Sequence, residues 1–186
     1  MTGPILLETE RLILRVPGEG DVERQMVHLN TPTVMAHLGG PKAREAIAEK
    51  HAKARALHAA EGFCFCMLEE RATGEMVGHA GLKRVDNPLA RNPGDMEVGW
   101  LIREDRWRRG YAWEAIVAVL DFAFARFDPP VIVALTSHAN EGSWRLMEKL
   151  GMRRRTDLDF SDPNFPPDDN PTILSSLTKP EWTARR

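Results

Sequence analysis

The chain of 186 residues has no surplus of charge of either sign: 25 Lys and Arg stand against 27 Asp and Glu, for a formal net charge of −2. That argues against nonspecific nucleic-acid binding, which draws on a basic surplus. Cysteine is scarce. The two present, Cys64 and Cys66, are accompanied by no second CxxC and no clustered histidine. Alternate positions on one strand face leave a metal pair open, but two buried thiols in a reducing cytosol is the plainer reading. His28, His37, His51, His58 and His79 share no metal-ligand spacing, so no metal is expected. His51 and His58, a heptad apart on one helix, are expected to face solvent. No window approaches the ~18 uninterrupted apolar residues of a membrane span. The start, "MTGPILLETE", lacks the basic stretch and apolar run of a secretory leader. A cytoplasmic protein is expected. There is no glycine-rich loop closing on Gly-Lys-Ser/Thr, no GxGxxG, no internal repeat and no low-complexity tract.

What is there is ordinary for a globular protein: 42% hydrophobic and 28% charged residues. The length suits one domain over residues 1–186 with a sizeable core. Leu12 to Val16 reads as a first strand, and Asp21 as the cap of a helix running to about Asn30. Pro41 suits the first turn of a long Ala- and Lys-rich helix closed by Gly62. "FCFCMLEE" and "EMVGHAGLKRV" form a hairpin around "RATGE", and "MEVGWLIR" is the next strand. From Gly110 a helical period runs to about Phe127, stopped by Pro129 and Pro130. "VIVALT" is a buried strand. Asn140 opens a helix that Gly151 ends, and "MRRR" and "TILSSLT" are the last strands, joined by a Pro/Asp loop. The order β-α-α-β-β-β-α-β-α-β-β predicts a mixed α/β sheet flanked by helices.

One stretch stands out: "RWRRGYAWEA", Arg106 to Ala115, concentrates positive charge just before a helix. A strand, a glycine turn and a helix start make an anion site, because the first helical N–H groups have no internal partners and the helix dipole favours negative charge there. Gly110 lets the backbone approach a ligand, Ala112 keeps the helix start open, and Arg106, Arg108 and Arg109 attract anions at long range. From spacing alone, a solvated basic helix start is an equal reading.

"WRRGYAWEA" resembles the R/Q-x-x-G-x-G/A element of the GNAT N-acetyltransferases, which in many members reads close to WGxGYATEA. "LETERLILR", "MEVGWLI", "NEGSWRLMEKLGMRR" and "ILSSLTKPEW" resemble, in order, elements of the branch that acetylates ribosomal-protein N-termini, the RimJ/RimL-like branch. The resemblance implies a GNAT fold: a central, mostly antiparallel sheet of six to seven strands with a parallel splayed pair, flanked by about four helices. It implies acetyl-CoA as cosubstrate, its pyrophosphate on the backbone N–H groups of Arg108, Arg109, Gly110, Tyr111 and Ala112, with Leu101, Ile102 and Arg103 also on the cofactor and the N–H groups around Leu101 near the thioester oxygen. Two positions depart from the pattern: Trp107 stands at the usual R/Q position, and Trp113 where Thr is frequent.

Acetyl transfer to an amine needs a base, a donor to the thioester oxygen and an acid for the leaving thiolate. Glu97 resembles the Glu of the family's E-I-G-Y strand, a frequent base; a structural hydrogen bond is the alternative. The family reading puts Asn140 on the pantetheine arm and Ser143 near the thiolate as general acid. Their local reading is a helix N-cap and a solvated third helical residue. His138, two residues before Asn140, is the other candidate base, with a satisfied loop histidine as its plainer reading. No covalent intermediate is implied. The acceptor is an amine, on a protein N-terminus or a small molecule; nucleic acid and membrane are not expected partners, and a homodimer is left open. The aspartates at 157, 159, 162, 168 and 169 either attract a cationic acceptor or form a solvated acidic loop. A non-catalytic CoA-binding or sensor protein on the same fold is the competing function.

Overall fold

The computed structural model of the chain describes residues 2–185. Its strands are β1 (Ile5–Glu8), β2 (Leu12–Arg15), β3 (Phe65–Glu70), β4 (Met76–Arg84), β5 (Met96–Ile102), β6 (Ile132–Ser137), β7 (Arg153–Arg154) and β8 (Thr172–Leu177). The helices are α1 (Asp21–His28), α2 (Arg44–Glu61), α3 (Tyr111–Arg126), α4 (Glu141–Leu150) and α5 (Lys179–Thr183). The strands form one sheet in the order β1-β2-β3-β4-β5-β6-β8-β7. It is mostly antiparallel; β5 and β6 are the parallel pair, in register at Met96↔Ile132 and Glu97↔Val133. The expected mixed fold is present with one strand and one helix more than the upper expectation. The extra strand is β1, which folds back on β2. The extra helix is α5, where the closing strand was expected to run on: Thr178 and Glu181 make a reciprocal capping box and Pro180 sits in the first turn.

The chain divides into two compact units. The first comprises the residues up to Ala36 with Gly40–Lys83 and Gly99–Val119. Here β2, β3 and β4 pair antiparallel, Leu12↔Glu70 and Met67↔His79 fixing the registers. Leu29, Val34, Met67 and Met76 form a buried apolar cluster with Leu101 packed on it. Asp21 is the first residue of α1 rather than its cap; Gly20 holds the cap position at φ 84°. The Asp21 carboxylate turns inward instead, accepting from Gly18 N–H at 2.6 Å and from the Arg15 guanidinium at 2.6 and 2.8 Å. Arg15 also reaches Glu69 at 2.7 and 2.9 Å, so one buried cation ties the β2–α1 connection to β3. α2 begins three residues after Pro41, at Arg44. His51, expected in solvent, is buried with its Nε2 2.7 Å from Gln25 Oε1. The packing of α2 against α1 puts Ile47 and His51, one turn apart, on the covered side. Cys64 and Cys66 are both buried, with sulfurs 3.8 Å apart and no disulfide. The neighbouring thiol and burial push the Cys66 thiol up.

The second unit comprises His37–Gly39, Arg84–Val98 and the chain from Leu120. β6 and β8 pair along their whole length, Ile132↔Leu177 to Ser137↔Thr172, and β7 pairs with β8. Val85, Ala90, Val133 and Leu174 are buried together. The Trp182 indole of α5 is buried and donates to Asp121 on α3 at 2.8 Å.

Asp21 and Glu69 show the energetic weight of the first unit's ion network. Burial pushes both carboxylates up, but the hydrogen bonds and charge of Arg15, with Arg24, outweigh it and hold both below the usual range. A depressed carboxylate stabilises the fold above its unfolded pKa and loses that contribution as pH falls through its folded value. Asp21→Asn, measured by urea unfolding, is expected to cost about 3–5 kcal/mol at neutral pH, because Arg15 loses a buried partner. The loss of stability below about pH 4 is expected to be shallower in the variant than in the parent.

Candidate functional site

The basic corner lies wholly in the first unit. After β5 the chain makes a 3-10 turn over Glu104–Arg106 and then two left-handed steps, Arg108 at φ 60° and Gly110 at φ 83°, before α3 starts. Left-handed backbone is easy for glycine and costs a non-glycine residue roughly 1–2 kcal/mol. The strain at Arg108 is therefore imposed by its surroundings. Among the described residues, the backbone N–H groups of Arg108, Arg109, Gly110, Tyr111 and Ala112 have no acceptor; further along α3, the Glu114 amide bonds Gly110 O at 3.0 Å. Two of these five belong to the first turn of α3, and the left-handed steps add three more. The Arg108 and Arg109 side chains are exposed and, among the described residues, pair with no carboxylate. Successive unpaired N–H groups at the positive end of a helix are an anion cradle.

The surrounding contacts hold this turn open. Trp107 folds back and donates from Nε1 to Ile102 O at 2.7 Å, so its departure from the family pattern has a structural role. Arg11 crosses the corner: Nη1 donates to Arg109 O at 3.1 Å, Nε to Glu114 at 2.6 Å, and the guanidinium lies 4.5 Å from the Tyr111 ring centre. Glu114 also accepts from Arg11 N–H at 2.8 Å and Thr9 Oγ1 at 2.6 Å. The buried Tyr111 donates its hydroxyl to Glu70; that bond pushes the phenol up and holds the Glu70 carboxyl below its usual range. Arg103, expected on the cofactor, is committed to the chain itself. Its N–H donates to Val77 O at 3.0 Å, and its guanidinium bonds Asp105 at 3.0 Å and Met76 O at 2.9 Å. It braces the turn. Sequence reasoning missed Arg11 and Glu70, which no local pattern marks; Glu114 lies inside the "YAWEA" motif.

The remaining candidates lie in the second unit. Glu97 is buried at 8% exposure on β5, opposite Val133 of β6. Asn140 caps α4: its Oδ1 accepts from Ser143 N–H at 3.2 Å. Its amide nitrogen and the Ser143 hydroxyl make no hydrogen bond among the described residues. His138 is exposed, and its carbonyl accepts from the Trp144 indole at 3.2 Å.

The aspartate loop does not form a free acidic face. Asp157 pairs with Arg155 at 2.7 Å and Asp159 with Arg154 at 2.6 Å. Asp162 is buried and accepts from Asn87 at 3.0 Å and from Asn164 N–H and Nδ2 at 2.9 Å each. Asp169, also buried, takes Ser137 Oγ at 3.0 Å and His37 Nδ1 at 2.7 Å. Of the five, Asp168 alone is exposed and without a hydrogen-bond or ion-pair partner among the described residues. No group of three or more His, Cys, Asp or Glu among the described residues is placed to hold a metal ion, and no helix there is long and apolar enough to cross a membrane.

Residues 11–153 match the family described as the acetyltransferase (GNAT) domain. A Bacillus subtilis protein named as an uncharacterized N-acetyltransferase, YoaA, is 29% identical over 94% of this chain and 97% of its own length. The crystal structure of an acetyltransferase from Agrobacterium tumefaciens is 27% identical, covers 96% of both chains and superposes with a TM-score of 0.78. A Salmonella typhimurium acetyl transferase, described as modifying the N-terminal serine of ribosomal subunit protein L7/L12, has the same fold with a TM-score of 0.71 at 13% identity, over 94% of this chain and 99% of its own.

Gly110 offers a direct test of the corner. A Cβ added there would meet only Arg11 Nη2, at 3.5 Å, so a substitution acts through the positive φ and not through a clash. Gly110→Val is expected to abolish the rise in melting temperature that CoA produces by mass action, while the far-ultraviolet circular dichroism stays native. Gly110→Asn, which tolerates left-handed backbone, is expected to keep most of the rise. Full retention by the valine variant would remove the corner from the binding site.

Proposed function

The chain belongs to the GNAT acetyltransferase family, and from that premise we propose that it transfers an acetyl group from acetyl-CoA directly to a primary amine, on a peptide N-terminus or a small molecule, as a single catalytic domain in the cytoplasm. The observation that carries the reading is the run of five unpaired N–H groups from Arg108 to Ala112. Such a cradle suits a pyrophosphate, and the unpaired Arg108 and Arg109 side chains add attraction for a polyanionic cosubstrate. Acetyl-CoA supplies the acetyl thioester. Leu101 offers backbone N–H near the thioester oxygen, while Ile102 and Arg103 set the shape of the strand end through Trp107 and Val77. Asn140 keeps its amide nitrogen for the pantetheine arm, since only its Oδ1 is engaged in the cap.

In this reading Glu97 accepts the proton that the amine loses, and the Ser143 hydroxyl donates one to the departing sulfur. Attack is direct: the thiols of Cys64 and Cys66 are buried, and burial with their mutual contact disfavours a Cys66 thiolate. The ribosomal N-terminal acetyltransferase among the structural neighbours supports an amine at a peptide N-terminus as one acceptor class.

The test is thiol release from acetyl-CoA across a panel of amines that includes serine-initiated peptides and polyamines. Glu97→Gln is expected to lower turnover by ~10²-fold or more if Glu97 is the base, with the CoA-induced rise in melting temperature unchanged. Ser143→Ala is expected to lower it less, because a thiol of pKa about 8.5 is a good leaving group without assistance. CoA binding with no thiol release on any amine would make the protein a CoA-binding module on the same fold. Unchanged turnover in the Glu97 variant at every pH, with loss in His138→Ala, would transfer the base to His138.

A further inference from the structure

His79 lies on β4 in the first unit, half-buried, and its imidazole makes no hydrogen bond among the described residues. The Phe65 ring stands edge-on to it at 5.7 Å and 66°. Phe65 in turn occupies the space of an absent side chain: a Cβ on Gly99 would come within 2.7 Å of its ring. Phe65, His79 and Gly99 therefore share one face of the sheet. Alternation along β5 puts Glu97 and Leu101 on the same face of that strand as Gly99. Around His79, α2 contributes Lys50 and His51, whose buried Nδ1 has no partner among the described residues. Burial first, then the charges of His51 and Lys50, push the His79 imidazolium down to about 3.

We propose that His79 and Phe65 seat the acceptor amine, His79 accepting a hydrogen bond from the amine N–H and the Phe65 ring packing against the adjacent carbon. This rests on the acetyltransferase reading above. A half-buried polar ring without a protein partner is costly unless a ligand or water completes it, and a neutral imidazole offers one acceptor nitrogen and one donor N–H. The burial that pushes the His79 imidazolium down also disfavours an ammonium ion beside it. An amine at this seat is therefore held as the free base, with its lone pair available for attack. The part of His79 is to bind and orient the nucleophile.

The experiment is a long-range 1H–15N spectrum of the imidazole nitrogens of the wild-type protein saturated with CoA. His79 is expected to show a neutral pattern from pH 5 to pH 8, as the value of about 3 requires. Its nitrogens are expected to shift saturably with the amide of Ser-Ala-Ala or with n-butylamine, and not with N-acetyl-Ser-Ala-Ala amide. No shift, or equal shifts with the acetylated peptide, overturns the proposal whether or not the protein proves to be an acetyltransferase. Where thiol release occurs, His79→Leu is expected to raise the KM of the amine about tenfold, the size of one lost hydrogen bond, and to leave the KM of acetyl-CoA within about twofold. His79→Gln, which keeps an acceptor atom, is expected to recover part of the loss. Unchanged amine KM in His79→Leu overturns the seat; absence of thiol release with every amine counts against the acetyltransferase reading and leaves the spectrum to decide the seat.

Discussion

Five backbone N–H groups in a row cannot be satisfied within the first unit, and the contacts around them are arranged to keep them so. A helix start leaves its first donors unpaired as a matter of geometry. Here the left-handed steps at Arg108 and Gly110 extend the unpaired run backward through the turn. A loop of this kind would ordinarily collapse onto its own carbonyls. It is prevented from doing so by side chains that arrive from elsewhere: Trp107 ties to Ile102 O, and Arg11 takes Arg109 O. Glu114 clamps Arg11 to the first turn of α3, and Tyr111 is anchored on Glu70. The positive charge of Arg108 and Arg109 then remains available to a ligand, because Glu114 and Glu70 are already committed to the brace.

The same unit handles a second electrostatic problem in the opposite way. Arg15 is buried, and its charge is met by Asp21 and Glu69 in bidentate geometry, so the ion network is closed. A closed network is costly to break and inert towards ligands. The corner and His79 are the open counterparts: polar groups for which the described residues supply no partner. The contrast between satisfied and unsatisfied polar groups separates structural from functional residues better than residue type does, since arginine and histidine appear on both sides.

The anion corner was legible in the sequence because its parts are contiguous: a strand end, a glycine and a helix start within ten residues carry the whole pattern. The order of elements followed from β-branched runs and helix stops, and the parallel pair from the family resemblance. Three features were not legible, each for a physical reason. Arg11 and Glu70 reach the corner from 98 and 41 residues away in sequence, so their role depends on strand pairing that no local pattern fixes. His51 was misjudged because α2 is so rich in alanine and lysine that its covered side is marked by little beyond Ile47. The residues Thr178 to Glu181 carry a capping box, yet they follow a β-branched run directly, and the strand pattern masks the helix start.

The fate of the aspartate loop narrows how an acceptor is chosen. Asp157 and Asp159 are neutralised by arginines within five positions, and Asp162 and Asp169 are buried in hydrogen bonds that order the loop. Paired charges leave only short-range dipoles, and at physiological ionic strength a Debye length of about 8 Å screens what remains. The loop therefore gives little long-range attraction to a cation, and the chain's net charge of −2 adds little more. Selection among amines then falls to groups that touch the substrate. A neutral imidazole beside an aromatic ring discriminates by contact and desolvation rather than by attraction at a distance: a free amine satisfies it, whereas an ammonium must first shed its proton and its hydration shell. On the proposed reading, the chain would separate its two substrates by mechanism, drawing a polyanion to exposed arginines and unpaired amides and admitting the amine through a seat that favours its uncharged form.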